Sequence, residues 1–339
     1  MGAIWTTKNE LITTTSEIVG YKSGLALTRE KLLDYVPEDY AAYVTGSNAM
    51  IRIRAEEYEG IIAAVLYGVG NTPTPYIVSP VTHMYHKYKH DKAKLDILYE
   101  VLDRANAFLD NAVDPIPKES KKKAIDPSPL IDEIRDAHGL VGVALVIEFL
   151  EMLNLQLHQS SMGQIRRVDW NDTAELKDLF ESESLGTLYG QFLDQRFIDY
   201  LQRNFSDIDA MNWRKFEGLT GEFFSRNGFE VEMGEGRNDG GIDARIWPSN
   251  VDKSLPPALL VQCKRQKDKV EKVVVKGLYA DILAEEAESG LIVTTSCLSP
   301  GAETTCKVRG YPIRQANRKT LKQWIEAMRS PWAGVWLGE

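Results

Sequence analysis

The apolar positions of the first two thirds of the chain fall at helical spacing, and the texture changes after Trp213. The first 110 residues read as helices joined by loops. Leu95, Leu98, Leu102, Ala105 and Leu109 recur every three or four residues, which puts one apolar stripe on a helix of about 18 residues. Between Asp114 and Pro129, four prolines (Pro115, Pro117, Pro127, Pro129) surround Lys121, Lys122 and Lys123. Proline cannot continue a helix and lysine is solvated, so 114–129 is expected as an exposed loop dividing two helical subdomains. From Leu130 to Leu157 the pattern is helical again. Leu140, Val143, Leu145, Val146, Phe149, Leu150, Leu153 and Leu157 make that helix apolar round more than one face, which predicts burial on several sides, in a bundle or between two copies. Leu185 to Arg203 predicts another helix, followed by a polar linker from Ser206 to Asn212.

Beyond the linker, a helix carrying Phe216, Leu219, Phe223 and Phe224 ends at Asn227-Gly228, a stop signal. Short runs rich in β-formers follow at Phe229 to Met233, Ile242 to Trp247 and Leu259 to Cys263, and each predicts a strand. Lys269 to Ser289 is helical, Leu291 to Thr295 is a buried-type strand, and Ser299 to Arg309 and Lys319 to Met328 are further helices. That order implies a central sheet flanked by helices, an α/β domain at 213–330, preceded by a mainly α-helical region at 1–205.

With 339 residues, 43% of them hydrophobic, the chain has material for two cores, which excludes a disordered or fibrous protein. Its longest apolar stretch, Gly139 to Leu150, contains Glu148 and is shorter than the roughly 20 residues of a membrane span. No basic and apolar leader opens the sequence, so a cytoplasmic location without membrane contact is expected. Cys263, Cys297 and Cys306 are odd in number and lack CxxC spacing, which points to packed thiols rather than disulfides or zinc. The net charge of -9 divides unevenly: residues 1–209 carry 21 Lys and Arg against 32 Asp and Glu, whereas residues 210–339 carry 19 against 17. The acidic first part is therefore expected to regulate or to bind a partner protein, and the second to approach phosphates. A fragment starting near Asp207 would on this reading keep its own activity without the acidic part.

Three segments of the second part bring polar chemistry to strand ends: Phe216-Glu217, Asn238-Asp239-Gly240-Gly241-Ile242-Asp243, and Gln262-Cys263-Lys264. Strand alternation puts Gln262 and Lys264 on one face and Cys263 on the other. If the second and third strands pair as a hairpin, Asp243 lies beside them. Phosphodiester hydrolysis uses such a set, because a hard divalent cation takes oxygen ligands and acidifies a bound water. Asp243 is expected as the main metal ligand, with Gln262 and the Cys263 backbone carbonyl completing the shell. Glu217 would serve a second metal or a water, and Lys264 would activate the attacking water.

Phe216-Glu217, Gly228-Phe229, Asp239 to Asp243, Gln262-Cys263-Lys264-Arg265 and Val293-Thr294-Thr295-Ser296, with Ala302 six residues on, together resemble the catalytic domain of Mrr-like type IV restriction endonucleases. That group belongs to the PD-(D/E)xK nuclease superfamily and uses Gln-x-Lys where most members have Glu-x-Lys. The resemblance covers Trp213 to Arg329. It implies a restriction-endonuclease-like fold, a central mixed sheet flanked by helices, and a Mg²⁺-dependent DNA endonuclease, with Mn²⁺ as substitute, serving restriction and anti-phage defence. The family's modification-sensing domain is often a winged helix, and residues 1–205 do not read as one. A repair or recombination nuclease and a silent DNA-binding platform whose helical region docks a partner are the rival readings. Cutting two antiparallel strands calls for two sites, hence a homodimer or a tetramer.

Several features keep two readings at this stage. Glu222 rivals Glu217. Thr294, Thr295 and Ser296 either bind phosphate or cap a strand end. His83, His86 and His90, spaced to share a helix side, make either a metal site or a surface interleaved with Tyr85, Lys87, Tyr88 and Lys89.

Overall fold

The computed structural model describes residues 2–113, 125–161, 165–236 and 241–329. Lys121 to Lys123 and Asn238, Asp239 and Gly240 lie outside them. The first part runs β1 (Ala3–Thr7), α1 (Lys8–Ser23), β2 (Leu25–Ala26), α2 (Arg29–Leu33), α3 (Ala41–Val44), β3 (Met50–Arg54) and α4 (Ala55–Gly68). It continues through α5 (Pro80–Tyr88), α6 (Lys92–Val113), α7 (Ser128–Gln159), β4 (Ala174–Glu175), α8 (Asp178–Glu181) and α9 (Gln195–Arg203). The second part is α10 (Trp213–Arg226), β5 (Glu230–Met233), β6 (Ala244–Trp247), β7 (Leu259–Lys264), α11 (Lys272–Ala284), β8 (Ser289–Thr294), α12 (Pro300–Arg309), β9 (Ile313–Ala316) and α13 (Arg318–Met328).

The helical reading of the first part holds in the main, with small sheets added. β1 and β3 pair antiparallel, and β2 and β4 pair parallel. The sequence Ala3-Ile4-Trp5-Thr6-Thr7 is β-branched and aromatic, and its partner puts Ile51 and Ile53 on one face and Arg52 and Arg54 on the other. The stripe on α6 is core: Leu98, Leu102 and Ala105 pack with Met84 of α5 and with Leu130, Ile134, Leu145 and Phe149 of α7. By length and composition α7 could cross a membrane, unlike the shorter stretch from Gly139 to Leu150 on its own: it holds an 18-residue window of mean hydropathy 1.8, of which 33% is buried. The helix is interrupted at Gly139 (φ 61°), and Leu140 just beyond is 82% exposed, so the expected burial on several sides is not met within this chain.

The second part carries the expected mixed sheet, in the order β5-β6-β7-β8-β9. β5, β6 and β7 are antiparallel neighbours, whereas β7, β8 and β9 run parallel. β9 was not foreseen, being four residues long with exposed Arg314 inside it. One sheet face packs on α11 and α12 through Leu260, Val275, Leu278, Ile292 and Ala302. The other face joins a core that ignores the linker, in which Val261, Val293, Phe216 and Trp324 pack in one cluster with Leu11, Ile61, Phe197, Tyr200 and Ile208. A fragment beginning at Asp207 would expose half of that cluster, so the independence expected of it gives way to a shared core.

The predicted helix from Leu185 to Arg203 is helical only from Gln195. Residues 183–193 form a strap along α10 instead. Phe192 lies so close that a Cβ on Gly218 would stand 2.6 Å from its carbonyl oxygen. Glu222 Oε2 accepts the backbone N–H groups of Gln191, Phe192 and Leu193 at 2.7, 2.8 and 3.3 Å, donors that a helix would have used itself.

Candidate active site

The site lies where β6 and β7 part. Their antiparallel ladder ends at Ala244 opposite Val261, followed by Asp243 N–H donating to the Val261 carbonyl at 2.9 Å. The next donor on β7, Cys263 N–H, goes to a side chain, Asp243 Oδ2, at 2.6 Å. N–H and C=O of one strand residue point to the same edge, so the Cys263 carbonyl faces the fork as well. Gly241 (φ 93°) makes the turn into Asp243, and a Cβ there would stand 2.7 Å from Gln262 Nε2.

Alternation along β7 runs as the sequence predicts. Val261 and Cys263 join the cluster under α10, while Leu260 joins the cluster under α11, which leaves Gln262 and Lys264 on the latter's face. The Cys263 thiol contacts the Thr220 hydroxyl at 3.6 Å, and burial pushes its pKa up, helped by the charge of Asp243. Lys264 ends the strand half-buried, and among the described residues its ammonium has no hydrogen bond or ion pair.

Glu217 comes to the fork from α10. It is 5% exposed and Asp243 7%, and their side chains share a hydrogen bond. Burial pushes the Glu217 carboxyl up to about 8, the charge of Asp243 adds to this, and the Arg214 guanidinium opposes it. Arg214, one turn earlier, was missed by the sequence reading. It donates through Nη1 to Glu217 Oε2 at 2.7 Å and through Nη2 to the Gly234 carbonyl at 2.7 Å, while Gly234 N–H donates to the Asp243 carbonyl at 2.9 Å. Helix and strand end are thereby tied in a ring. An arginine three residues before a glutamate reads as an ordinary ion pair on a helix surface, so no signal marked it.

The donor set fits a hard divalent cation. Two carboxylates are buried against each other, and among the described residues the buried Gln262 Oε1 atom has no hydrogen-bond partner. Among the described residues no three His, Cys, Asp or Glu side chains gather into a metal site, so an amide and a main-chain carbonyl would have to complete this one.

The other candidates separate. Glu222 is engaged by the strap and by Arg226, whose Nε donates to Glu222 Oε1 at 2.7 Å, so it holds structure together. Thr294 Oγ1 donates to the Lys264 carbonyl at 2.7 Å, Thr295 Oγ1 to the Gln266 carbonyl at 3.0 Å, and Ser296 Oγ to the Lys267 carbonyl at 3.2 Å. These hydroxyls cap the strand ends. His83, His86 and His90 are exposed; the first two lie on α5 and His90 beyond its end. Lys87 and Tyr88 both donate to Glu148 of α7, so that region is a packed helix with a solvated side.

A mixed sheet with helices on both faces and acidic, amide and ammonium groups at a strand fork defines the restriction-endonuclease-like class. The restriction endonuclease family model Mrr_cat matches residues 208–325, roughly a third of the chain, and that segment is a restriction-endonuclease domain of the Mrr type. "Uncharacterized protein y4cE" of Sinorhizobium fredii (strain NBRC 101917 / NGR234) is 21% identical over 203 residues, 60% of this chain and 49% of that protein. The chain thus spans about half the length of that relative. A solved structure, the MspJI restriction endonuclease in complex with a 27-mer oligonucleotide, is similar at 17% identity and a TM-score of 0.29, over 57% of this chain and 42% of that one.

Proposed function

We propose that the protein is a divalent-metal-dependent DNA endonuclease that acts in restriction of foreign or phage DNA, with Mg²⁺ as its cation and Mn²⁺ as a substitute. One observation carries this reading: a buried, hydrogen-bonded carboxylate pair, Glu217 and Asp243, in a strand fork that ends at Lys264 and holds Gln262 Oε1, buried and without a hydrogen-bond partner among the described residues. Asp243, Glu217, Gln262 Oε1 and the Cys263 carbonyl would hold the cation. When bound, it supplies an acidified water and neutralises charge on the scissile phosphate. Asp243 is fixed for its part by the Cys263 N–H, and Glu217 by Arg214, so neither needs to reorganise. Lys264, whose ammonium has no partner among the described residues, places it against a non-bridging phosphate oxygen and orients the attacking water. The acidic residues 1–209 serve control or partner binding, and two copies cut the two strands.

Supercoiled plasmid incubated with full-length protein tests the reading. Nicked or linear product is expected with Mg²⁺ and none with EDTA. Methylated, unmethylated and branched substrates side by side then separate restriction from repair. Intact plasmid of every kind, with Mg²⁺ and with Mn²⁺, would overturn the endonuclease reading.

A further inference from the structure

Next to the proposed site two arginines from distant parts of the chain meet on one residue of the linker. Arg265 follows Lys264 directly, and its Nη1 donates to the Asp209 backbone carbonyl at 2.5 Å. Arg318 opens α13, two residues past the end of β9, and its Nη1 donates to Asp209 Oδ1 at 2.6 Å. β7, β8 and β9 run parallel in that order, so all their carboxyl ends lie along one sheet edge. At about 4.8 Å between neighbours, the start of α13 stands about 10 Å from the strand that ends in Lys264.

The frame that carries the arginines is rigid. Thr295 and Ser296 bind the carbonyls of Gln266 and Lys267, Thr295 Oγ1 accepts the Gln266 N–H at 3.1 Å, and Arg318 N–H reaches the Ser296 carbonyl at 3.4 Å. The hydroxyls at the end of β8 therefore do not hold a phosphate; they hold the loop on which Arg265 sits. The side chains themselves are accessible. Arg265 is exposed, and the Arg318 and Asp209 side chains keep 39% and 37% of their surface. Exposed Lys267 and Lys269 continue the basic run, and among the described residues neither forms an ion pair. An exposed carboxylate is a weak hold on a guanidinium, and a DNA phosphate in the same place is a stronger ligand for two of them.

We propose that Arg265 and Arg318 form a clamp for a DNA backbone phosphate beside the cleavage site, and that Asp209 occupies this clamp until duplex DNA displaces it. This rests on the endonuclease reading above. Because Asp209 belongs to the linker between the acidic region and the nuclease domain, DNA entry would also loosen that linker's hold on the sheet edge.

Binding of a labelled duplex of about 25 base pairs by the full-length protein, followed by fluorescence anisotropy in EDTA at increasing salt, is the test. Arg265→Gln and Arg318→Gln should each flatten the slope of log affinity against log salt by about 0.9, one phosphate's worth. Asp209→Asn, isosteric and expected to fold, should tighten binding up to about fivefold, the equivalent of one exposed ion pair. Adding Arg318→Gln to it should cancel that gain. Unchanged slopes in both arginine variants, or Asp209→Asn binding no tighter than wild type, would overturn the clamp while leaving the nuclease in place. If the wild type neither binds duplex nor cuts plasmid, the endonuclease reading falls and the clamp with it.

Discussion

Asp243→Asn isolates the charge conflict at the fork without changing its shape. The asparagine Oδ1 still accepts from Cys263 N–H, while its amide can donate to Glu217 where the two carboxyls now compete for one proton. In the wild type without metal, the Glu217 carboxyl stands near 8 instead of its ordinary 4.5. The folded state therefore binds that proton more tightly than the unfolded chain, and the contribution to stability is favourable at low pH and is lost as the pH rises from 4.5 to 8. At about 1.4 kcal/mol for each tenfold change in proton affinity, ionising Glu217 costs up to about 5 kcal/mol. Burial accounts for the largest share of it and the charge of Asp243 for the next, about 2 kcal/mol. Melting in EDTA followed by circular dichroism at pH 5 to 9 should show Asp243→Asn overtaking the wild type toward pH 8. The gain should approach about 4 °C, at about 2 °C per kcal/mol for a chain of this size. Adding Mg²⁺ at about 100 times its dissociation constant should raise the wild-type melting temperature by about 5 °C, and the variant's hardly at all. A variant with the wild-type pH slope and the wild-type Mg²⁺ response would show that the two carboxylates do not share a charge or a cation.

Asp243→Ala and Lys264→Ala should each lower plasmid cleavage by about 10³-fold or more with the fold retained, and substantial activity in either purified, folded variant would refute its role. Glu222→Ala strips the acceptor from three strap N–H groups and leaves Arg226 short of a partner, so a loss of about 3–5 kcal/mol is expected in urea denaturation. A fragment beginning at Asp207 should give poor secondary structure by circular dichroism and aggregate in size-exclusion chromatography, because half of its core stays behind. Gln262→Glu adds a third carboxyl to a fork that already holds two buried against each other. It should be less stable than wild type in EDTA and respond more strongly to Mg²⁺ in the same melting assay, with cleavage retained.

The sheet was legible because its strands are short, β-rich and separated by turn residues, and because β6 and β7 are joined closely enough to pair. The strands of the first part were not. Met50 to Arg54 alternates well, but Met50-Ile51-Arg52-Ile53-Arg54 becomes a strand only because Ala3 to Thr7, more than forty residues earlier, lies against it. The strap failed for a related reason. Leu185, Leu188, Phe192 and Phe197 keep near-helical spacing, yet Glu222 from a later helix takes the backbone donors of Gln191 to Leu193, and Gly218 lets Phe192 press onto α10. Periodicity registers which residues want burial; it cannot register what satisfies the backbone, and here a distant carboxylate decided the conformation.

The same asymmetry runs through the site. Asp243, Gln262, Cys263 and Lys264 could be placed because strand alternation fixes which of them share a face, and the one condition, that two neighbouring strands pair, is met. The sequence favours Glu217 over its rival Glu222 only through the resemblance, since both lie on α10 and both are buried. Their partners distinguish them. Glu222 meets four donors and is spent, whereas Glu217 meets one guanidinium and one carboxyl of its own sign, and that imbalance is what a cation would relieve. Arg214 then acquires a definite meaning. By binding Glu217 and the Gly234 carbonyl at once it keeps the two acidic groups facing each other. Were that guanidinium absent, the cheapest relief of the repulsion would be for Glu217 to turn out of the fork, and the helix that presents it would lose its tie to the strand end.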